Sequence, residues 1–171
     1  MTDPTTPRLD DLIEAERDIV DRLAASDVEV DFAALSVVSN IYRAASAVRR
    51  HMEQSVLAPA QLSWTAFVTL WVLWIWGEME ARHLAAEANV TKGTLTGVLD
   101  TLERRGLVAR RRHDEDRRLV SVSLTGEGEK LIAEVYPAFN AQESRIAALL
   151  PPEDRERIAH GLREIVRGVP D

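Results

Sequence analysis

The stretch from Ala81 to Thr125 constrains the fold most. Its first part carries Leu84, Ala85 and Ala88, an apolar face at helical spacing, which Asn89 and Val90 interrupt. Thr91 has the side chain of a helix N-cap, since its hydroxyl can accept from a free amide of the next turn. Leu95, Val98, Leu99 and Leu102 follow at i, i+3, i+4 and i+7, the buried face of a second, longer helix. That leaves Lys92, Gly93, Thr94, Thr96, Gly97, Asp100 and Thr101 largely outward. Gly106 suits a left-handed cap at the end of this helix. Leu107 to Arg112 reads as a strand, His113 to Arg117 as a turn, and Leu119 to Leu124 as the returning strand. Helix, turn, helix and hairpin in this order make a winged DNA-binding unit.

Charge points the same way. The 171-residue chain carries a formal charge of −7, yet residues 81–125 hold nine Lys/Arg against six Asp/Glu, a local +3. An acidic protein with one basic island can offer that island to a polyanion while the rest repels it. Thr91, Lys92, Gly93, Thr94, Thr96, Gly97 and Thr101 are the expected DNA-facing residues of the second helix. Small polar side chains there can approach phosphates and base edges. Arg110, Arg112, Arg117 and Arg118 are the expected DNA contacts of the hairpin.

The run Leu84-Ala85, Val90-Thr91, Leu102-Glu103-Arg104-Arg105-Gly106-Leu107-Val108, Arg110, Asp114-Glu115-Asp116-Arg117-Arg118 and Val122-Ser123-Leu124-Thr125 resembles the MarR family of bacterial transcription regulators. The specific part is the wing pattern D-x-D-R-R followed by v-x-L-T-x-x-G, matched from Asp114 to Gly128. The resemblance implies a homodimeric winged helix-turn-helix regulator, usually a repressor, released from DNA by a small ligand. It implies that Arg117 reads the minor groove at the wing tip, with Asp114 or Asp116 pairing with Arg118 to structure the wing. Gly97 stands where relatives often have Arg, which leaves fewer direct base contacts and more reliance on DNA shape. Thr65 and Val98 stand where a urate-responsive branch has Asp and Arg, so urate is not implied.

The resulting fold is mainly α, a winged helix-turn-helix with a small β-wing and a helical dimerisation region from both chain ends. Residues 1–8 read as a mobile tail, 9–57 as N-terminal dimerisation helices, 58–125 as the DNA-binding lobe and 126–171 as C-terminal dimerisation helices. Residues 1–31 hold ten Asp/Glu against three Arg, with an added amphipathic helix from Leu9 to about Ala25. In the helix spanning 31–57, Leu35, Val38, Tyr42, Ala45, Met52 and Val56 trace one face. Ser63 can cap the apolar helix WTAFVTLWVLWIW, Gly77 ends it, and residues 78–80 read as a short third strand. Thr125 caps a long helix that contains Pro137, where a kink is expected. A last helix from Glu153 to Arg167 turns Ile158, Leu162, Ile165 and Val166 inward.

The four Trp all fall in one helix, either as heavy scaffold or as an aromatic-walled pocket for a planar, apolar or anionic effector. Trp64, Phe67 and Trp71 are the candidate walls, with His51 a candidate contact. The chain has no Cys, which excludes a disulfide scaffold and a Cys-ligated metal. Glu78, Glu80, His83 and His113 make only a weak metal pattern, and neither a metal nor a cofactor is expected. No catalytic constellation can be placed, so an enzyme is not expected. The apolar run of 13 residues falls short of a membrane span, and the acidic N-terminus lacks a signal-peptide core. The expected compartment is the cytoplasm, and the expected partners are pseudo-palindromic duplex DNA, a second copy of the chain and a small effector. The alternative is a winged-helix protein–protein interaction module without sequence-specific DNA binding.

Overall fold

The apolar spacing of residues 81–125 is realised as a helix pair against a three-stranded sheet in a computed structural model, which describes residues 12–112 and 119–170. The elements are α1 (Glu14–Ala24), α2 (Phe32–Met52), a π turn (Glu53–Leu57), α3 (Trp64–Trp76), β1 (Met79–Glu80), α4 (Ala81–Glu87), α5 (Lys92–Arg104), β2 (Val108–Arg112), β3 (Val120–Leu124), α6 (Gly126–Ala147) and α7 (Pro152–Gly168). The architecture is the expected one, mainly helical with a small antiparallel wing sheet. The chain divides into two units, Met1–Arg50 and His51–Asp171.

In the first unit one buried carboxylate organises α1 on α2. Glu16 reaches back to the Ile13 amide at 3.3 Å. Its other oxygen accepts from Ser36 Oγ at 3.0 Å and from Asn40 Nδ2 at 2.6 Å, with the Arg43 guanidinium 3.9 Å away. Leu12, Ile19 and Val20 face Phe32 and Leu35, leaving a gap of about 10 Å³ that at most one water fills. Burial alone would raise the Glu16 pKa. The hydrogen bonds from Asn40, Ser36 and the Ile13 amide outweigh it and hold the carboxyl below its ordinary range.

In the second unit α3 is the central rod. Phe67, Thr69, Leu70, Val72 and Leu73 are buried, and the Thr69 hydroxyl is satisfied by the Thr65 carbonyl at 2.8 Å. Around it pack Leu84, Leu95, Leu99, Leu102, Val108, Val122, Ile132 and Phe139, all buried. The strands lie in the order β1-β3-β2, with Met79 opposite Val122 and Val108 opposite Leu124. Ser63 caps α3 through the Ala66 amide, and Gly77 ends it at φ 77°. At the start of α6 Gly128 is indispensable, because a Cβ there would lie 2.0 Å from the Leu107 carbonyl oxygen.

One expectation needs correction. The 31–57 segment is not one uniform helix. It closes in a π turn in which Ala58 N donates to Glu53 O at 2.8 Å. The face traced through this segment is buried at Met52, the end of α2, and at Val56 in the π turn, whereas Val38 and Tyr42 are exposed. The α7 residues Ile158, Leu162, Ile165 and Val166 are also exposed, because α7 has no buried residue in the single chain. Helix α6 is assigned from Gly126 to Ala147 with Pro137 inside it.

Two outcomes follow from this packing. Gly128→Ala destabilises the chain by about 1–3 kcal/mol, since a backbone carbonyl cannot yield as a side-chain tip can. Urea unfolding checks this as a lower midpoint at unchanged m. Glu16→Ala strips the carboxylate from its donors and weakens the docking of α1 by about 1–3 kcal/mol. Because the folded pKa is lowered, the Glu16 contribution is complete above the ordinary carboxylate pKa and disappears as pH falls through the folded value. Amide exchange of residues 14–24 should therefore accelerate in the variant at neutral pH, and in the native chain only on acidification.

Candidate nucleic-acid interface

The reading face is built from the turn outward. Asn89 takes φ 51°, a left-handed value that a short polar side chain tolerates, and so turns the chain between α4 and α5. Thr91 caps α5 by accepting from the Thr94 amide at 3.1 Å, and its hydroxyl also meets that of Thr94 at 2.9 Å. Leu95, Leu99 and Leu102 anchor the inner face of α5, with Val98 half-buried. The C-terminal end is a Schellman closure. The Gly106 amide reaches the Glu103 carbonyl at 2.8 Å and the Leu107 amide reaches the Leu102 carbonyl at 2.9 Å, with Gly106 at φ 70°. Both ends of the helix are thus fixed by capping within the chain itself.

That outer face is exposed at Thr91, Lys92, Gly93, Thr94, Thr96, Gly97, Asp100 and Thr101. Thr96 and Thr101 donate back to the carbonyls of Lys92 and Gly97 at 2.9 and 3.1 Å, leaving their oxygens able to accept. A Cβ at Gly97 would meet nothing within 4 Å, so bare helix backbone is presented there. A cleft of about 320 Å³ runs beside this face, between Lys92 and Thr96 of α5 and Glu80, Arg82 and Val120.

The arginines divide into two groups. Arg112 is exposed near the wing tip. Arg110 instead turns back on α5. It pairs with Asp100 at 2.7 Å and donates to Glu103 from both Nε, at 2.9 Å, and Nη2. Hydrogen bonding to Arg110 outweighs burial and holds the Glu103 carboxyl below its ordinary range; Glu103 in turn raises Arg110. Arg111 bridges to Glu78 at 2.9 Å across the sheet, and Arg105 binds two backbone carbonyls. Sequence reasoning assigned Arg110 to DNA and overlooked its partners Asp100 and Glu103, as well as the Arg111–Glu78 bridge and the Arg105 contacts. Strand alternation carried the signal, since Arg110 lies two residues after the buried Val108 and shares its face. Asp114, Asp116, Arg117 and Arg118, with His113, lie outside the described residues.

The aromatic candidates separate. Phe67 stacks on Phe139 at 4.2 Å, and Trp64 lies 6.0 Å from the same ring. His51 Nε2 meets Gln142 Oε1 at 3.2 Å, one turn further along α6. These three therefore converge on the Phe139–Gln142 turn. Trp71 does not join them, and its ring meets Trp76 edge-on at 5.6 Å. The Trp71 indole nitrogen is buried with no hydrogen-bond partner among the described residues. Among the described residues no three His, Asp or Glu side chains group as metal ligands. No helix among them is long and apolar enough to cross a membrane.

A capped helix with a small-side-chain outer face, set after a left-handed turn and beside an arginine-bearing hairpin, defines the winged helix-turn-helix class. The family model described as "MarR family" matches residues 62–120. An uncharacterised HTH-type transcriptional regulator of Bacillus subtilis (strain 168), YwaE, is 35% identical over 90% of this chain and 91% of its own length. The HTH-type transcriptional repressor YetL of the same organism is 34% identical over 51% of this chain and 52% of its own. The structure of Bordetella bronchiseptica BpsR, whose DNA binding is regulated by 6-hydroxynicotinic acid, superimposes with a TM-score of 0.71. It is 27% identical and covers 77% of this chain and 98% of that one. The chain belongs to the MarR family.

The clamp on Arg110 can be weighed directly. Its partners are partly exposed, so solvent screening limits the pair. A double-mutant cycle on Arg110→Gln and Glu103→Gln should return a coupling of about 0.5–1 kcal/mol that shrinks in high salt. It should vanish as pH falls through the lowered pKa of Glu103.

Proposed function

We propose that the chain is a transcriptional repressor that binds a pseudo-palindromic duplex as a homodimer and lets go when a small aromatic or anionic ligand binds. The observation that carries this is the exposed outer face of α5, capped at Thr91 and built of Gly and Thr, set within a basic island of an acidic chain. Gly93 and Gly97 allow the helix to enter the major groove closely, and Lys92 and Arg112 meet phosphates. Dimerisation is supported by α7, whose Ile158, Leu162, Ile165 and Val166 leave an apolar stripe that the single chain does not bury. Two-fold symmetry sets the half-sites about one helical turn apart. The Trp64–Phe67–His51 cluster is the effector candidate, in keeping with the aromatic acid that regulates the BpsR relative. The protein acts in the cytoplasm, by binding and not by catalysis.

The test is a titration of the promoter duplexes of its own and neighbouring genes at several salt concentrations. Binding should weaken steeply with salt, because each neutralised phosphate releases counterions. Footprinting should protect two half-sites, and a panel of aromatic acids should contain one that releases them. Gly97→Ala should bind more weakly while gaining about 0.5–1 kcal/mol of stability, since Gly costs a helix that much. Salt-insensitive retention of an acidic protein, with no duplex bound, would instead identify a protein–protein module.

A further inference from the structure

Arg105 occupies the C-cap of α5, beside the left-handed Gly106, yet its side chain is directed to neighbouring backbone. Its guanidinium donates from Nη1 to the Gln61 carbonyl at 2.6 Å and from Nη2 to the Ala60 carbonyl at 3.3 Å. These two successive carbonyls belong to a turn held in an unusual conformation. Gln61 has φ 54°, a left-handed value unfavourable for a residue with a Cβ. The turn is closed by Gln61 N to Ala58 O and Leu62 N to Leu57 O, both 3.0 Å. It follows the π turn at the end of α2 directly, and the buried Leu57 and Leu62 pin it on either side. The next residue, Ser63, caps α3. The exit from α2 therefore runs through a fully bonded turn, and the C-terminal end of α5 hangs from it. A planar guanidinium spans two adjacent carbonyls; a lysine ammonium has no such fork.

We propose that Arg105 is a positioning residue for DNA reading. By binding the Ala60 and Gln61 carbonyls it sets the tilt of α5 against the turn that follows the π turn, and a change in that turn reaches the recognition helix through this strap. The inference rests on the DNA-binding reading above. It assigns to backbone a basic side chain that would otherwise be counted as a phosphate contact, and the two roles have different salt signatures. A phosphate contact contributes roughly 0.9 to the slope of log K against log salt, on any duplex. A strap contributes nothing to that slope and acts only where the helix must fit a particular sequence.

The experiment titrates the full chain, Arg105→Gln and Arg105→Lys against the operator and a scrambled duplex at several salt concentrations. Arg105→Gln should lose roughly tenfold on the operator. It should keep the wild-type salt slope and bind the scrambled duplex as the wild type does. Arg105→Lys should fall between the two, at the same slope. Equal weakening on both duplexes with a slope reduced by about 0.9 makes Arg105 a phosphate contact and overturns the inference. Unchanged operator affinity in Arg105→Gln overturns it as well, while leaving the DNA reading intact. A wild-type chain that binds no duplex removes both. If Arg105→Gln does not fold, Arg105→Lys decides alone, since wild-type affinity there means that charge and not the fork is what matters.

Discussion

Four elements meet at two carbonyl groups, those of Gly106 and Leu107. The Thr125 hydroxyl donates to Gly106 O at 2.6 Å, and the Thr125 amide to Leu107 O at 3.1 Å. The same hydroxyl accepts from the Gly128 amide at 3.1 Å and so begins α6. One threonine thereby joins the end of α5, the root of β2, the end of β3 and the start of α6. The joint needs Gly106 for its left-handed φ and Gly128 for the absence of a side chain. Hydrophobic burial would hold these elements together in many relative poses. The joint selects one, because backbone groups this close leave no room to slide.

From that joint the reading face inherits its geometry. Helix α5 is fixed at its start by Thr91, along its inner side by Leu95, Leu99 and Leu102, and at its end by the Schellman closure. Arg110 then ties the first hairpin strand to Asp100 and Glu103. The first strand of the wing and the helix are therefore tied together, and pre-positioned donors lose less freedom on binding.

Much of this could be read from the residues beforehand. Period and caps located α3, α4, α5, the hairpin and α6, because Ser63, Thr91, Thr125, Gly77 and Gly106 act within one turn of chain. What escaped was non-local. Nothing near Arg105 in the sequence points to Gln61, and nothing near Glu16 points to Asn40. The π turn escaped for another reason, since its composition, Glu-Gln-Ser-Val-Leu, is that of ordinary helix. The stripe of α7 was legible as apolar, and it stands exposed in the single chain, because periodicity reports that a face needs a partner and not where the partner is. The same limit applies to the aromatic helix: four tryptophans announced themselves, but only the fold separates Trp64 beside Phe139 and Trp74 beside Tyr136 from the pair formed by Trp71 and Trp76.

The π turn at Glu53–Leu57 carries a consequence for how such a chain can vary. A π turn holds one residue more than the α-helical turn it replaces, and it offsets everything beyond it by about 100° of rotation. Removing a single residue between Glu53 and Leu57 would restore a plain helix and keep its hydrophobic composition. The buried pair Val56 and Leu57 would then swing off the core, and the carbonyls of Ala60 and Gln61 would leave the reach of α5. Substitutions at these positions are graded in their effect, whereas a change of length is all or none. Related chains of different length should therefore place their insertions and deletions elsewhere, such as the stretch between α1 and α2.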